Sequence, residues 1–271
     1  MKTALVIIDT QYDFHDVPVE FIIDGVKPAL SVPGAWEDSG RLAKLILELE
    51  HNWNDIVVLM DTHQAYDIAH PTFWVNKEGS NPPPFTEVTS NMVRVGELTP
   101  VDSALTDYVI GYIEALELKG KSHFIWPEHC IDGTVGHEIV EPIKKALASS
   151  PIDYQVFKKG IYELTEHFGA FEAEIPVESQ PSTTFNAEIY SKLMNSEQIV
   201  FSGQALTHCV IASVLQFMNK MKQTGAQKEV VLLTDTTSPV AGFEQQGQEF
   251  LAQLEQMGVK LMKCSEFSNL K

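Results

Sequence analysis

The strongest constraint on the fold of this chain is an alternation. Short aliphatic and β-branched runs recur at Ala4 to Ile8, Ile56 to Met60, Tyr154 to Phe157, Gln198 to Ser202, Glu229 to Thr234 and Val259 to Lys263. Most are nearly continuously apolar, the pattern of strands buried on both faces. Helical periodicity lies between them. Leu42, Leu45, Ile46 and Leu49 form one stripe after Ser39, an expected N-cap. Val210, Val214, Phe217 and Met221 form another, and Phe243, Phe250, Leu251, Leu254 and Met257 a third before Gly258. Strands and helices in alternation predict an α/β fold: three layers, α/β/α, with a mainly parallel central sheet of about six strands.

No long linker interrupts the 271 residues, so a single domain over 1–271 is expected. A formal charge of -18 with no block of Lys and Arg argues against nucleic acid and against an anionic membrane surface as partners. Three widely spaced cysteines make no disulfide framework, and the run from Ala4 to Ile8 is too short for a signal-peptide core. With no apolar stretch long enough to span a bilayer, a cytoplasmic location is expected.

In open α/β sheets ligands bind beyond the carboxyl ends of the strands. Polar residues cluster at those ends here: Asp9 after the first run, Asp61 and His63 after the second, Lys159 after the third, Cys209 after the fourth and Asp235 after the fifth. Cys209 falls where a strand passes into a helix, a position where amide N–H groups and the helix dipole favour a thiolate. Each residue also has a plainer reading. Asp235 reads as a strand-end cap, Lys159 beside Lys158 resembles a surface lysine, and His208, adjacent to the thiol, points away from it on a helix.

Asp61 and His63, two apart in an extended segment, project to one side and suit a divalent metal. A third ligand is available in Trp126-Pro127-Glu128-His129-Cys130, either His129 or, as a softer donor, Cys130; Cys130 reads equally as a core residue.

Five segments in order carry a resemblance: Asp9-Thr10-Gln11-Tyr12-Asp13-Phe14, Asp61-Thr62-His63, Trp126 to Cys130 with Gly133-Thr134, Phe157-Lys158-Lys159-Gly160, and Gly203 to Val210. Together they resemble the isochorismatase-like cysteine hydrolases, and within them the nicotinamidases. His167-Phe168-Gly169-Ala170-Phe171 is similar to a further stretch of that family. The resemblance implies the isochorismatase-like hydrolase fold, a catalytic triad of Asp9, Lys159 and Cys209, and an oxyanion hole from the N–H groups of Ala205 and Cys209. It further implies metal ligation by Asp61, His63 and His129, with Phe14 and Trp126 as the apolar walls around a planar ring. A cis peptide is implied at Gln204-Ala205. The implied cofactor is one divalent metal, zinc first, with iron or manganese as alternatives.

The implied chemistry is hydrolysis of nicotinamide, or a close heteroaromatic carboxamide, to the acid and ammonia through a thioester, with a place in NAD salvage. The nucleophile loop departs from the family at Gln204, Leu206, Thr207 and His208, and about sixty residues, an insertion at about 64–122, replace a shorter loop. Within it Phe73 and Trp74 are candidate aromatic contacts, and a helix is predicted from Asp102 to Leu118. Two alternatives stand beside the nicotinamidase reading: the same cysteine chemistry on another amide or carbamoyl substrate, and an inactive binding or assembly protein on this fold. The small-molecule amide is the expected partner; a homo-oligomer is compatible with the resemblance, though no interface is legible.

Overall fold

A computed structural model describes residues 1–270. Six strands form one sheet: β1 (Thr3–Ile8), β2 (Trp53–Asp61), β7 (Tyr154–Lys159), β8 (Gln198–Gly203), β9 (Glu229–Leu233) and β10 (Lys260–Met262). They lie in the order β10-β9-β8-β1-β2-β7, and every neighbouring pair is parallel. Alternation along β1 explains the layers. Ala4, Val6 and Ile8 enter a core with helices α5 (Ala187–Leu193), α6 (Ile211–Thr224) and α7 (Glu244–Gln256), supplied by Ile189, Val214, Phe217 and Leu254. Leu5 and Ile7 enter the opposite core with α1 (Ala35–Glu48), α4 (Glu141–Ser149) and α8 (Cys264–Ser268), supplied by Leu42, Ile46, Ile143 and Phe267. Burying both faces of a strand of aliphatic residues is worth roughly 1.5–3 kcal/mol per side chain, which makes β1 the keel of the molecule.

The edges differ from the centre. Tyr154 and Val156 of β7 are exposed, because an edge strand lacks a neighbour on one side. The predicted cap of α1 also moves. Ser39 lies inside the helix, buried, with its hydroxyl 2.7 Å from His15 Nε2. The helix instead starts after Gly34, and the Asp16 carboxylate accepts the N–H groups of Gly34 at 2.7 Å and Trp36 at 2.8 Å. A carboxylate from a preceding loop thus satisfies free donors at the true start of the helix, the kind of role expected of Ser39.

Residues 64–122 build a compact unit of their own. Its strands are β3 (Trp74–Asn76), β4 (Thr86–Val88) and β5 (Leu98–Pro100), with β6 (His123–Ile125) just beyond; β3 pairs antiparallel with β5 and β4 with β6. Helices α2 (Ser90–Arg94) and α3 (Thr106–Leu118) pack on them through Val93, Val109, Tyr112, Ile113 and Leu116. The predicted single helix from Asp102 is split: Asp102 caps a 3₁₀ turn at Ser103–Leu105, accepting the Ala104 N–H at 3.0 Å, and the α-helix begins at Thr106. Phe73 and Trp74 are fully buried in this core, and the Trp74 indole N–H donates to the Ile68 carbonyl at 2.8 Å, so they serve packing.

Among the described residues no helix is long and apolar enough to cross a membrane.

Candidate active site

The strand order reverses between β1 and β8: the chain runs from β1 outward to β2, while β8 leads to β9 and β10 on the other side. A crevice opens at such a switch point, and Asp9 and Cys209 occupy its two lips. Gly203 allows the close approach. It stands opposite Ile8 with φ +120°, and its α-carbon faces the Ile8 backbone without room for a side chain. Asp9 turns out of β1 with φ 46°, a left-handed conformation that costs a non-glycine residue about 1–2 kcal/mol.

Lys159 ties the lips together. Alternation at the end of β7 sends Lys158 outward to an exposed ion pair with Asp132 and Lys159 inward, where it is buried. Its Nζ lies 3.0 Å from Asp9 Oδ2, 2.9 Å from Asp61 Oδ1 and 3.6 Å from Cys209 Sγ, and donates to the His167 carbonyl at 2.9 Å. Burial opposes its charge, but Asp61 and Asp9 outweigh burial and raise its pKa well above the usual lysine value. Asp61 shows the same contest: burial disfavours the carboxylate, and Lys159 and His63 hold its pKa well down. For Asp9 burial wins over Lys159, and the pKa rises to about 6.

Cys209 sits in a π-type turn, Leu206–Val210, that leads into α6; the Val210 N–H reaches back five residues to the Ala205 carbonyl at 3.2 Å. Burial pushes the thiol pKa well up, with Lys159 pulling it down and Asp9 and Asp61 reinforcing the rise. Desolvation beside two carboxylates thus opposes the thiolate that the helix-start position favours. The Gln204-Ala205 peptide is cis.

Beside this cluster stand the imidazoles. His63 Nε2 is 3.1 Å and His129 Nε2 3.6 Å from Asp61 Oδ2, the oxygen that Lys159 leaves free. His63 Nδ1 is 3.0 Å from Asp67 Oδ2 and His129 Nδ1 2.8 Å from the Pro127 carbonyl, contacts that fix protons on Nδ1 and turn Nε2 toward Asp61. Donor nitrogens of His63, His70 and His129 lie within 4.8 Å of one another, and His70 Nδ1 is buried without a hydrogen-bond partner. Hard carboxylate with imidazole suits zinc, iron or manganese, so these residues fit a divalent metal. Gln11 holds Asp61 from behind: its side chain donates to the Asp61 carbonyl and accepts the Asp61 N–H, each at 2.7 Å. Cys130 is turned away, its thiol 3.8 Å from the Gly136 carbonyl in a small apolar cluster with Phe14, Leu30, Ala69 and Trp126.

A narrow pocket of about 30 Å³ lies over the thiol, lined by Phe14, Leu30, Trp126, His129, Ala205 and Cys209 among others. Trp126, Phe168 and His208 close one side edge to face, with ring centroids 5.1 Å apart for Trp126 and His208 and 6.4 Å for Trp126 and Phe168. His208 is thus a pocket wall; burial lowers its pKa to about 4 and keeps it neutral. Asp235 lies outside this site, its carboxylate accepting the Cys264 N–H at the start of α8, as a cap does.

Sequence reasoning missed Asp67, His70 and Glu166. Asp67 and His70 sit just inside the insertion, four and seven residues after His63, and that spacing was the available signal. Glu166 carries none: it comes to the pocket through a loop without periodicity.

This sheet order defines the isochorismatase-like hydrolase fold, which the chain shares with an isochorismatase-like hydrolase of Alkaliphilus metalliredigens (TM-score 0.54, 16% identity, covering 100% of this chain and 99% of that one). More particularly, it is similar to the curated nicotinamidase of Saccharomyces cerevisiae, 24% identical over 243 residues and 89% of each chain. Among solved structures it is similar to the yeast nicotinamidase bound to the inhibitor nicotinaldehyde (TM-score 0.64, 18% identity, covering 96% and 99%). It is also similar to the pyrazinamidase of Pyrococcus horikoshii in complex with zinc (TM-score 0.55, 18% identity, covering 97% and 99%). No family model matches the chain.

Proposed function

We propose that this protein is a metal-dependent cysteine amidohydrolase that converts nicotinamide, or a close heteroaromatic carboxamide, to the acid and ammonia. The observation that carries the reading is the buried ammonium of Lys159, within 3.6 Å of a carboxylate base, a thiol and a metal-ligand carboxylate at once. The nicotinamidase likeness supports the substrate, and the zinc-bound pyrazinamidase supports the metal.

Asp9, Lys159 and Cys209 act as the triad. Asp9 accepts the Cys209 proton, and Lys159 stabilises the charge as it moves from oxygen to sulfur. The thiolate attacks the amide carbon, and the N–H groups of Ala205 and Cys209 receive the oxyanion, an interaction worth roughly 2.7–4 kcal/mol per donor. Protonated Asp9 returns its proton to the leaving nitrogen, releasing ammonia and leaving a thioester. It then takes a proton from water, whose oxygen adds to the thioester carbon, and the acid departs as Cys209 regains its proton. Phe14 and Trp126 hold the ring. Asp61, His63 and His129, with His70 beside them, would hold the metal, which when bound offers a Lewis-acidic contact to a ring nitrogen and so orients the amide. On this reading the enzyme serves NAD salvage in the cytoplasm, and sedimentation would read any self-association.

The test is ammonia release from nicotinamide by the purified protein, before and after metal stripping and zinc restoration, with Cys209→Ala in parallel. Turnover that needs both the metal and Cys209 is expected. A zinc-loaded protein that releases no ammonia from nicotinamide would overturn the substrate.

A further inference from the structure

Behind the aromatic wall of the reaction pocket lies a second and larger cavity, of about 480 Å³. Trp126, Glu166, Phe168 and His208 line both spaces, so the two are contiguous across one partition. The 64–122 segment supplies one flank of the larger cavity through Leu116 and Lys121, continued by Phe124; α6 and α7 supply the other through Leu215 and Phe250. Its surface is mainly apolar, with a carboxyl group set into the partition.

That carboxyl is Glu166, 4% exposed. Its Oε1 accepts the His167 N–H at 3.2 Å, while its Oε2 is buried and has no hydrogen-bond partner. Leaving a buried acceptor unmatched costs roughly 1–3 kcal/mol. Yet Glu166 is firmly held there: its N–H donates to the Tyr112 hydroxyl of α3 at 3.0 Å, and its carbonyl accepts the Glu174 N–H at 2.8 Å. Glu174, the other carboxylate of the cavity, is already paired with Lys121. Burial raises the Glu166 pKa to about 7.

We infer that the larger cavity is a substrate subsite, and that Glu166 Oε2 accepts a hydrogen bond from a donor carried on a ring substituent of the carboxamide. The inference rests on the proposed amidase reading and narrows its substrate class. Nicotinamide has N–H donors only on its carboxamide, which that reading places at Cys209. A donor for Glu166 must therefore come from elsewhere on the ring, and the apolar cavity beyond accommodates the rest of the substituent.

The test measures binding by calorimetry to zinc-loaded Cys209→Ala protein, with nicotinamide, its 5- and 6-aminomethyl derivatives and the matching ethyl compounds. At one ring position the aminomethyl compound is expected to bind at least tenfold more tightly than its ethyl counterpart. Adding Glu166→Gln should cut that preference below threefold. Leu215→Trp, which fills the cavity from α6, should weaken the aminomethyl compound at least tenfold relative to nicotinamide; this second variant decides the matter if Glu166→Gln does not fold. No aminomethyl preference, a preference that survives Glu166→Gln, or equal effects of Leu215→Trp on both ligands would overturn the subsite. Ammonia release from nicotinamide by the unaltered enzyme separates the two failures: turnover without the preference sinks the subsite alone, and no turnover sinks the amidase reading beneath it.

Discussion

Replacing Gly203 with alanine tests whether the contact between β1 and β8 sets the reacting distance. A β-carbon at residue 203 would lie 1.9 Å from the Ile8 carbonyl oxygen and 2.6 Å from its nitrogen, both backbone atoms that cannot rotate away. Restoring van der Waals contact requires the strands to part by on the order of 1 Å. Overpacking costs about 1–3 kcal/mol, and alanine at φ +120° adds about 1–3 kcal/mol. The sum, roughly 2–6 kcal/mol, corresponds to a fall in Tm of about 4–12 °C for a chain of this size. The shift also reaches the chemistry. Asp9 follows Ile8 directly, and the Gln204 N–H donates to the same Ile8 carbonyl at 2.8 Å on the way to Cys209. A displacement of about 1 Å between base and nucleophile costs about 10²-fold in rate. Thermal unfolding and ammonia release from nicotinamide measure the two effects on one sample. A soluble Gly203→Ala protein with unchanged Tm and a rate within twofold of the parent would refute the argument.

Other outcomes follow from the same geometry. Cys209→Ala should lower ammonia release by at least about 10³-fold, and residual turnover above that would place the nucleophile elsewhere. On the proposed mechanism Asp9 accepts the thiol proton only when ionised, and its pKa is raised to about 6, so kcat/KM should fall about tenfold per pH unit below that value; a profile flat down to pH 5 would remove Asp9 as the base. Chelation should abolish activity and zinc restore it, with loss that zinc cannot reverse counting against a metal role. Asp67→Asn leaves the ligands in place but weakens the hold on His63 Nδ1, and should lower zinc affinity about 10–100-fold by competition with a chromophoric chelator.

The sheet was legible because aliphatic continuity is a direct record of burial on two faces. All six runs form strands, with ends displaced by up to three residues, as where β2 begins at Trp53 and the run at Ile56. Helix starts were less legible: Ser39 matched a local rule, while the carboxylate that serves α1 belongs to Asp16, outside the helix. The three-residue strands of the 64–122 segment are too short for any period to show. At the site, strand-end position nominated Asp9, Asp61, Lys159 and Cys209, and the structure gathers them around one ammonium. Alternation could equally have chosen between Lys158 and Lys159 once β7 was known to end there. Asp67 and His70 could have been sought from their spacing after His63, whereas Glu166 was invisible because nothing local distinguishes a loop residue that tertiary packing later buries.

The central place of β1 also sets the order in which the molecule can be assembled. Thr3–Ile8, the first strand of this sheet to be synthesised, takes its second neighbour from Gln198–Gly203, nearly two hundred residues later. Until then one edge of an aliphatic strand stays unpaired, a state prone to intermolecular pairing. Chains halted before β8 would lack both Cys209 and the strand that covers this edge. Slow synthesis or premature termination should therefore yield insoluble fragments rather than partially active enzyme.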